Sequence, residues 1–125
     1  MKKPFILVVE DDERLRGIIA RNLQARGYFV LEAATFREAV DRMSIKPNLI
    51  VLDISLPDAS GWDVAEWLES QVTPIPIIIM SGVTEPTQKQ WQHFHPKAFL
   101  PKPFNIEQLF GLVEEYAPAA ANSPR

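Results

Sequence analysis

Phe5-Ile6-Leu7-Val8-Val9-Glu10-Asp11-Asp12-Glu13 drives five apolar residues straight into four acids. The apolar part is short and continuous, the pattern of a strand buried on both faces. The acids that follow repel one another, so a strand ending this way needs a compensating charge. The same form recurs along the chain. Leu49-Ile50-Val51-Leu52 ends at Asp53, residues 75–80 end at Ser81-Gly82, and Ala98-Phe99-Leu100 ends at Pro101-Lys102. A further apolar run, residues 28–31, predicts one more strand.

Helical spacing fills the gaps between these runs. Leu15, Ile18, Ile19 and Leu23 recur on one face, with Asp12 placed as N-cap and Gly27 where a left-handed C-cap belongs. Thr35 and Glu38 have capping-box spacing ahead of Ala39, Val40 and Met43, and Pro47 stops that helix. Gly61 opens a helix carrying Trp62, Ala65 and Leu68. A helix starting after Thr84 would take Pro86 in its first turn and bury Trp91 and Phe94. Asn105 caps the last helix, with Ile106, Leu109, Phe110, Val113 and Tyr116 in its stripe. The Ala- and Pro-rich tail has no core pattern and is expected to be mobile.

Strands alternating with helices predict an α/β fold, a doubly wound parallel sheet of five strands with helices on both faces. The length of 125 residues suits one hydrophobic core. A net charge of −3 gives no general pull toward nucleic acid or an anionic membrane. With no cysteines there is no disulfide framework, thiolate metal site or cysteine nucleophile, which is compatible with the cytoplasm. The apolar run after Met1-Lys2-Lys3 is too short for a signal peptide, and nothing approaches a membrane span.

In such sheets ligands bind beyond the carboxyl ends of the strands. Glu10, Asp11, Asp53, Ser81 and Lys102 should therefore open onto one rim. Three converging carboxylates suit a hard divalent cation, and Mg²⁺ binds through few carboxylates while keeping several waters. A cation, a lysine and a hydroxyl around one carboxylate form a site for a phosphoryl group, with Asp53 as nucleophile. Each residue also has a plainer reading. Asp11 or Asp12 is a natural helix cap, Asp53 or Ser81-Gly82 a turn, and Lys102 a solvated charge. Trp62, Trp67 and Trp91 read as packing residues. The case rests on four strand ends agreeing.

Ile6-Leu7-Val8-Val9-Glu10-Asp11-Asp12, Leu49-Ile50-Val51-Leu52-Asp53 with Leu56-Pro57 and Gly61, Ile77-Ile78-Ile79-Met80-Ser81-Gly82 and Phe99-Leu100-Pro101-Lys102-Pro103-Phe104 together resemble the receiver domain of two-component response regulators. The resemblance covers about residues 4–116. It implies a flavodoxin-like sheet of order 2-1-3-4-5 flanked by five helices, with residues 1–117 as the receiver domain and 118–125 as the mobile tail. It implies that Asp53 accepts a phosphoryl group from a histidine kinase or a histidine phosphotransfer protein. Glu10, Asp11, Asp53 and the backbone carbonyl of Ser55 would bind Mg²⁺. Ser81 and Lys102 would contact the phosphoryl oxygens, and Ser81 with Phe99 would form the switch toward a downstream protein. It also implies a cis Lys102–Pro103 bond. Such a receiver is not a turnover enzyme: it catalyses only its own aspartyl phosphorylation and dephosphorylation.

The chain departs from the family in places. Ser60 stands where Asp is frequent. Residues 84–97 carry Pro86, His93, His95 and Pro96 where a regular helix is usual, and residues 112–116 lack the arginines that pair across the fourth and fifth helices of winged-helix relatives. No DNA-binding segment accompanies the receiver pattern, so a single-domain regulator or a receiver cut from a longer protein is expected, without direct nucleic acid or membrane binding. Two rival readings are a pseudo-receiver that binds proteins without phosphorylation, and a small nucleotide-binding enzyme on a similar sheet. The complete acceptor set speaks against the first. The absence of a glycine-rich loop after the first strand speaks against the second.

Overall fold

In the computed structural model, residues 4–71 and 74–117 are described; the expected mobile tail, residues 118–125, lies outside them. Strands β1 (Phe5–Val9), β2 (Phe29–Ala33), β3 (Leu49–Asp53), β4 (Ile77–Ser81) and β5 (Ala98–Pro101) alternate with helices α1 (Glu13–Ala25), α2 (Phe36–Arg42), α3 (Gly61–Glu69), α4 (Gln88–Phe94) and α5 (Ile106–Tyr116). The sheet is parallel throughout, in the order β2-β1-β3-β4-β5. This is the expected doubly wound, flavodoxin-like architecture.

The continuous apolar runs become strands because both faces are covered. Alternate residues point to opposite sides. Ile6, Val8, Leu49, Val51, Ile78 and Met80 pack against Ile19 and Leu23 of α1 and Leu109, Phe110 and Val113 of α5. Leu7, Val9, Ile50, Leu52 and Ile79 pack against Ala39 of α2 and Val64, Ala65 and Leu68 of α3. β3, at the sheet's centre, and its neighbour β4 are buried along their whole length, and the polar residues that follow them are delivered to one rim.

Most expected caps form. Asp12 accepts from the N–H groups of Arg14 and Leu15, and Gly27 has φ 97°, in the left-handed region. Asn105 and Gln108 close a reciprocal box at α5. At α2, Thr35 takes the Glu38 N–H as expected, while the Glu38 carboxylate reaches back to Ala34. α2 passes into a single 3-10 turn, Met43–Ile45, and Lys46 turns left-handed just before Pro47.

Three boundaries move. β2 runs over Phe29–Ala33 instead of residues 28–31, because its register is set by pairing with β1. β4 starts at Ile77, not Ile75: Pro76 has no N–H to give the ladder, although its carbonyl accepts from Ile50. α4 begins at Gln88, capped by Thr87, with Pro86 outside it. A residue before proline avoids the helical region, which keeps Glu85 out of a first turn. Thr87 and Gln90 also supply a reciprocal box of their own. Trp91 and Phe94 are half-buried, and α4 buries no residue fully.

Candidate functional site

β1 and β3 are neighbours, so Glu10, just past β1, and Asp53, the last residue of β3, meet at one rim. Glu10 is 1% exposed and Asp53 3%. Carboxylate oxygens of Glu10, Asp11 and Asp53 lie within 4.8 Å of one another. Asp12 supplies the helix cap, which leaves exposed Asp11 to complete this group. An all-carboxylate oxygen set this tight is a fitting cradle for a hard divalent cation.

Lys102 compensates the buried pair. Its Nζ donates to Glu10 Oε1 at 2.6 Å and to Asp53 Oδ2 at 3.0 Å. The lysine arrives there because its own N–H binds the Ser81 carbonyl at 2.9 Å, continuing the β4–β5 ladder past Pro101. The Lys102–Pro103 bond is cis, as the resemblance implied. Burial pushes the Glu10 carboxyl up to about 7, against the pull of Lys102 and the Asp12 N–H in the other direction. Burial pushes the Lys102 ammonium down, but its hydrogen bonds to Glu10 and Asp53 outweigh that and hold it above its usual range.

The loop after β3 is built on Asp53. The Ser55 N–H donates to Asp53 Oδ1 at 3.1 Å, and Ser55 bridges antiparallel to Ser60. Ser60 also caps α3 in a reciprocal box with Asp63, so a residue other than the family's frequent Asp does structural duty there. Gly61 is required by contact: a Cβ on it would lie 2.3 Å from the Asp53 carbonyl oxygen and 2.8 Å from the Ile54 Cα.

Ser81 ends β4, 3% exposed, and its Oγ accepts from the N–H groups of Val83 at 3.1 Å and Thr84 at 3.2 Å. Its hydroxyl proton is not used by those contacts. Phe99 pairs with Ile79 in register and is half-buried against the second core cluster. Glu10, Asp11, Asp53 and Lys102 thus come together directly. Ser55 lines the adjoining loop, Ser81 ends the neighbouring strand, and Phe99 stands back from the acid set. The histidines serve elsewhere: His93 pairs with Glu69 at 3.0 Å, and His95 is the left-handed C-cap of α4. Trp62 stacks on Phe94, a packing role as expected.

Two residues at this rim were not legible as such. Asp58 accepts from the N–H groups of Phe36 at 2.8 Å and Arg37 at 3.2 Å, tying the loop after β3 to the start of α2. Those bonds, the one from Phe36 foremost, hold its carboxyl below the ordinary range. Arg16 donates through Nη1 to the Glu10 carbonyl. In sequence both look like solvated charges, and no local pattern distinguishes them.

Among known proteins, the response regulator receiver domain family matches residues 6–114. The response regulator MprA of Mycolicibacterium vanbaalenii is 34% identical over 106 residues, 83% of this chain and 46% of that protein. The alkaline phosphatase synthesis transcriptional regulatory protein PhoP of Bacillus subtilis is 36% identical over 85 residues, 67% of this chain and 35% of that protein. The chain spans less than half the length of either relative. Among solved structures, the non-phosphorylated HemR receiver domain of Leptospira biflexa has a TM-score of 0.83 at 30% identity, covering 98% of this chain and 99% of that one. The chemotaxis protein CheY4 of Vibrio cholerae has a TM-score of 0.82 at 27% identity, covering 92% of this chain and 99% of that one.

Proposed function

The chain belongs to the response regulator receiver domain family, and on that premise we propose that Asp53 is its phosphoacceptor, in a Mg²⁺-dependent reaction with a histidine kinase or a histidine phosphotransfer protein. The observation that carries this reading is the position of Lys102, whose ammonium bonds Asp53 and Glu10 at once. An Asp53 carboxylate oxygen attacks phosphorus, and the bond from phosphorus to the donor nitrogen breaks, leaving its electron pair on the donor. Phosphoryl transfer asks little of the protein beyond placement and charge. Lys102 supplies a fixed positive charge beside the nucleophile, and the Ser81 hydroxyl proton can be offered to a phosphoryl oxygen. Glu10, Asp11, Asp53 and the Ser55 carbonyl would hold Mg²⁺, which would neutralise negative charge on the transferring group.

Ser81 would leave its bonds to Val83 and Thr84 to reach the phosphoryl group, and Phe99 would respond as the second half of the switch. A local charge change biasing a two-state element is a general signalling device. The output is a protein-interaction surface of α4, β5 and α5, read by a downstream protein. On this reading the domain spans residues 1–117, works in the cytoplasm, contacts neither nucleic acid nor membrane directly, and catalyses only its own phosphorylation and dephosphorylation. No helix among the described residues is long and apolar enough to cross a membrane.

Incubation with Mg²⁺ and a small-molecule phosphodonor should add one phosphoryl group, labile to hydroxylamine, by intact mass. Asp53→Asn should add none. Equal labelling of that variant would overturn the assignment.

A further inference from the structure

The end of β1 presents a mechanical problem. The ladder with β3 stops at Val9–Leu52, and the ladder with β2 stops at Val9–Ala33. Glu10 and Asp11 lie beyond both, where like charges push them apart. Two bonds hold the Glu10 backbone. Its N–H donates to the Ala33 carbonyl at 3.0 Å, and its carbonyl accepts from Arg16 Nη1 at 2.9 Å. The same guanidinium donates through Nε to Glu32 Oε1 at 3.0 Å, and the Arg16 side chain is 16% exposed. Arg16 therefore spans from α1 over the strand end to β2.

We propose that Arg16 is a positioning residue for the divalent-cation site, its guanidinium fixing the Glu10 carbonyl against Glu32 so that the Glu10 and Asp11 carboxylates stay converged. The inference rests on the proposed reading of those acids as cation ligands. Arginine suits the task because its planar fork offers several donors in fixed directions, so one side chain serves two acceptors on different elements. Groups that orient metal ligands without touching the metal commonly matter for affinity.

The rival role for Arg16 is charge alone, and the two roles predict opposite signs. A cation near the site repels Mg²⁺, so by charge alone Arg16→Ala would tighten binding and Arg16→Lys would leave it unchanged. Positioning predicts that Arg16→Ala weakens Mg²⁺ binding about tenfold. It predicts that Arg16→Lys, with charge kept and the two-way bridge lost, weakens it by a smaller factor. The test is Mg²⁺ titration of the metal-free protein, wild type and both variants, followed by calorimetry and by the amide signals of Glu10, Asp11 and Asp12. Those signals should broaden or shift in the variants before any metal is added. Binding by Arg16→Ala as tight as wild type would overturn the inference, as would full retention by Arg16→Lys with unchanged amide signals. If Arg16→Ala does not fold, Arg16→Lys decides. A wild-type protein that binds no Mg²⁺ would overturn the cation-site reading itself. Mg²⁺ binding lost in Asp11→Ala but untouched in the Arg16 variants would overturn the positioning role alone.

Discussion

Lys102 and Glu10 set the electrostatics of the rim, to which Asp11 adds an exposed charge. On the proposed reading, Asp11→Ala should weaken Mg²⁺ binding and slow phosphorylation at Asp53, because a hard cation loses one oxygen ligand. The metal-free protein should keep its stability within about 0.5 kcal/mol, or gain slightly, since an exposed like charge is removed. Unchanged Mg²⁺ affinity on titration would refute the ligand role. Gly61 makes a different kind of contribution. Its Cα hydrogen faces the Asp53 carbonyl where no methyl fits. Gly61→Ala must displace either the α3 start or the β3 end, at a cost of about 1–3 kcal/mol. Denaturant unfolding measures that cost, and phosphorylation of the variant should slow as Asp53 moves.

α4 is the least anchored element. It is seven residues long and buries no residue fully. Helices this short do not persist on local bonding alone, so its tertiary contacts hold it. They include the Trp62–Phe94 stack, with ring centroids 5.2 Å apart, and the exposed His93–Glu69 pair, both to α3, and the packing of Phe94 on the second core cluster. Phe94→Ala should therefore speed amide exchange across residues 88–94 and leave β1 and β3 protected, as expected of a region with few buried contacts. Equal acceleration throughout the sheet would show that α4 is not a separately opening unit. On the proposed reading, beryllofluoride with Mg²⁺ should shift amide signals chiefly in residues 81–104, where Ser81, α4, Phe99 and Lys102 lie. Shifts confined to residues 15–45 would place the output on another face.

The molecule as a whole tolerates its acidic rim at a cost that depends on pH. Glu10 titrates near 7 in the folded protein, against an ordinary value of 4.5, because burial disfavours its charged form. A carboxyl raised on folding favours the folded state while protonated in both states, and that advantage is lost as pH rises through the folded value. Without metal, the stability of Glu10→Gln relative to wild type should therefore grow from pH 4.5 to 7. Melting temperatures in the presence of a chelator test this, and a flat difference across that window would refute it. Mg²⁺ should compete with the proton on Glu10, so its addition should diminish the difference.

Much of this protein was legible one residue after another. Continuous apolar runs ending in Glu10, Asp53 and Ser81 announced buried parallel strands, and a parallel sheet sends its strand ends to one rim. Asp12, Gly27 and Asn105 announced helix ends because caps are local chemistry. The proposed acceptor set rests on that geometry together with the resemblance. Tertiary structure decided what local chemistry leaves open. Pairing with β1 moved β2 to Phe29–Ala33, since register depends on a partner strand. Pro76 stood inside an apolar run, and the missing ladder N–H excluded it from β4. Arg16 and Asp58 took their roles from backbone groups 6 and 22 residues away, just past β1 and at the start of α2. A side chain's charge is written in the sequence, but its partner is fixed only when the chain has folded back on itself.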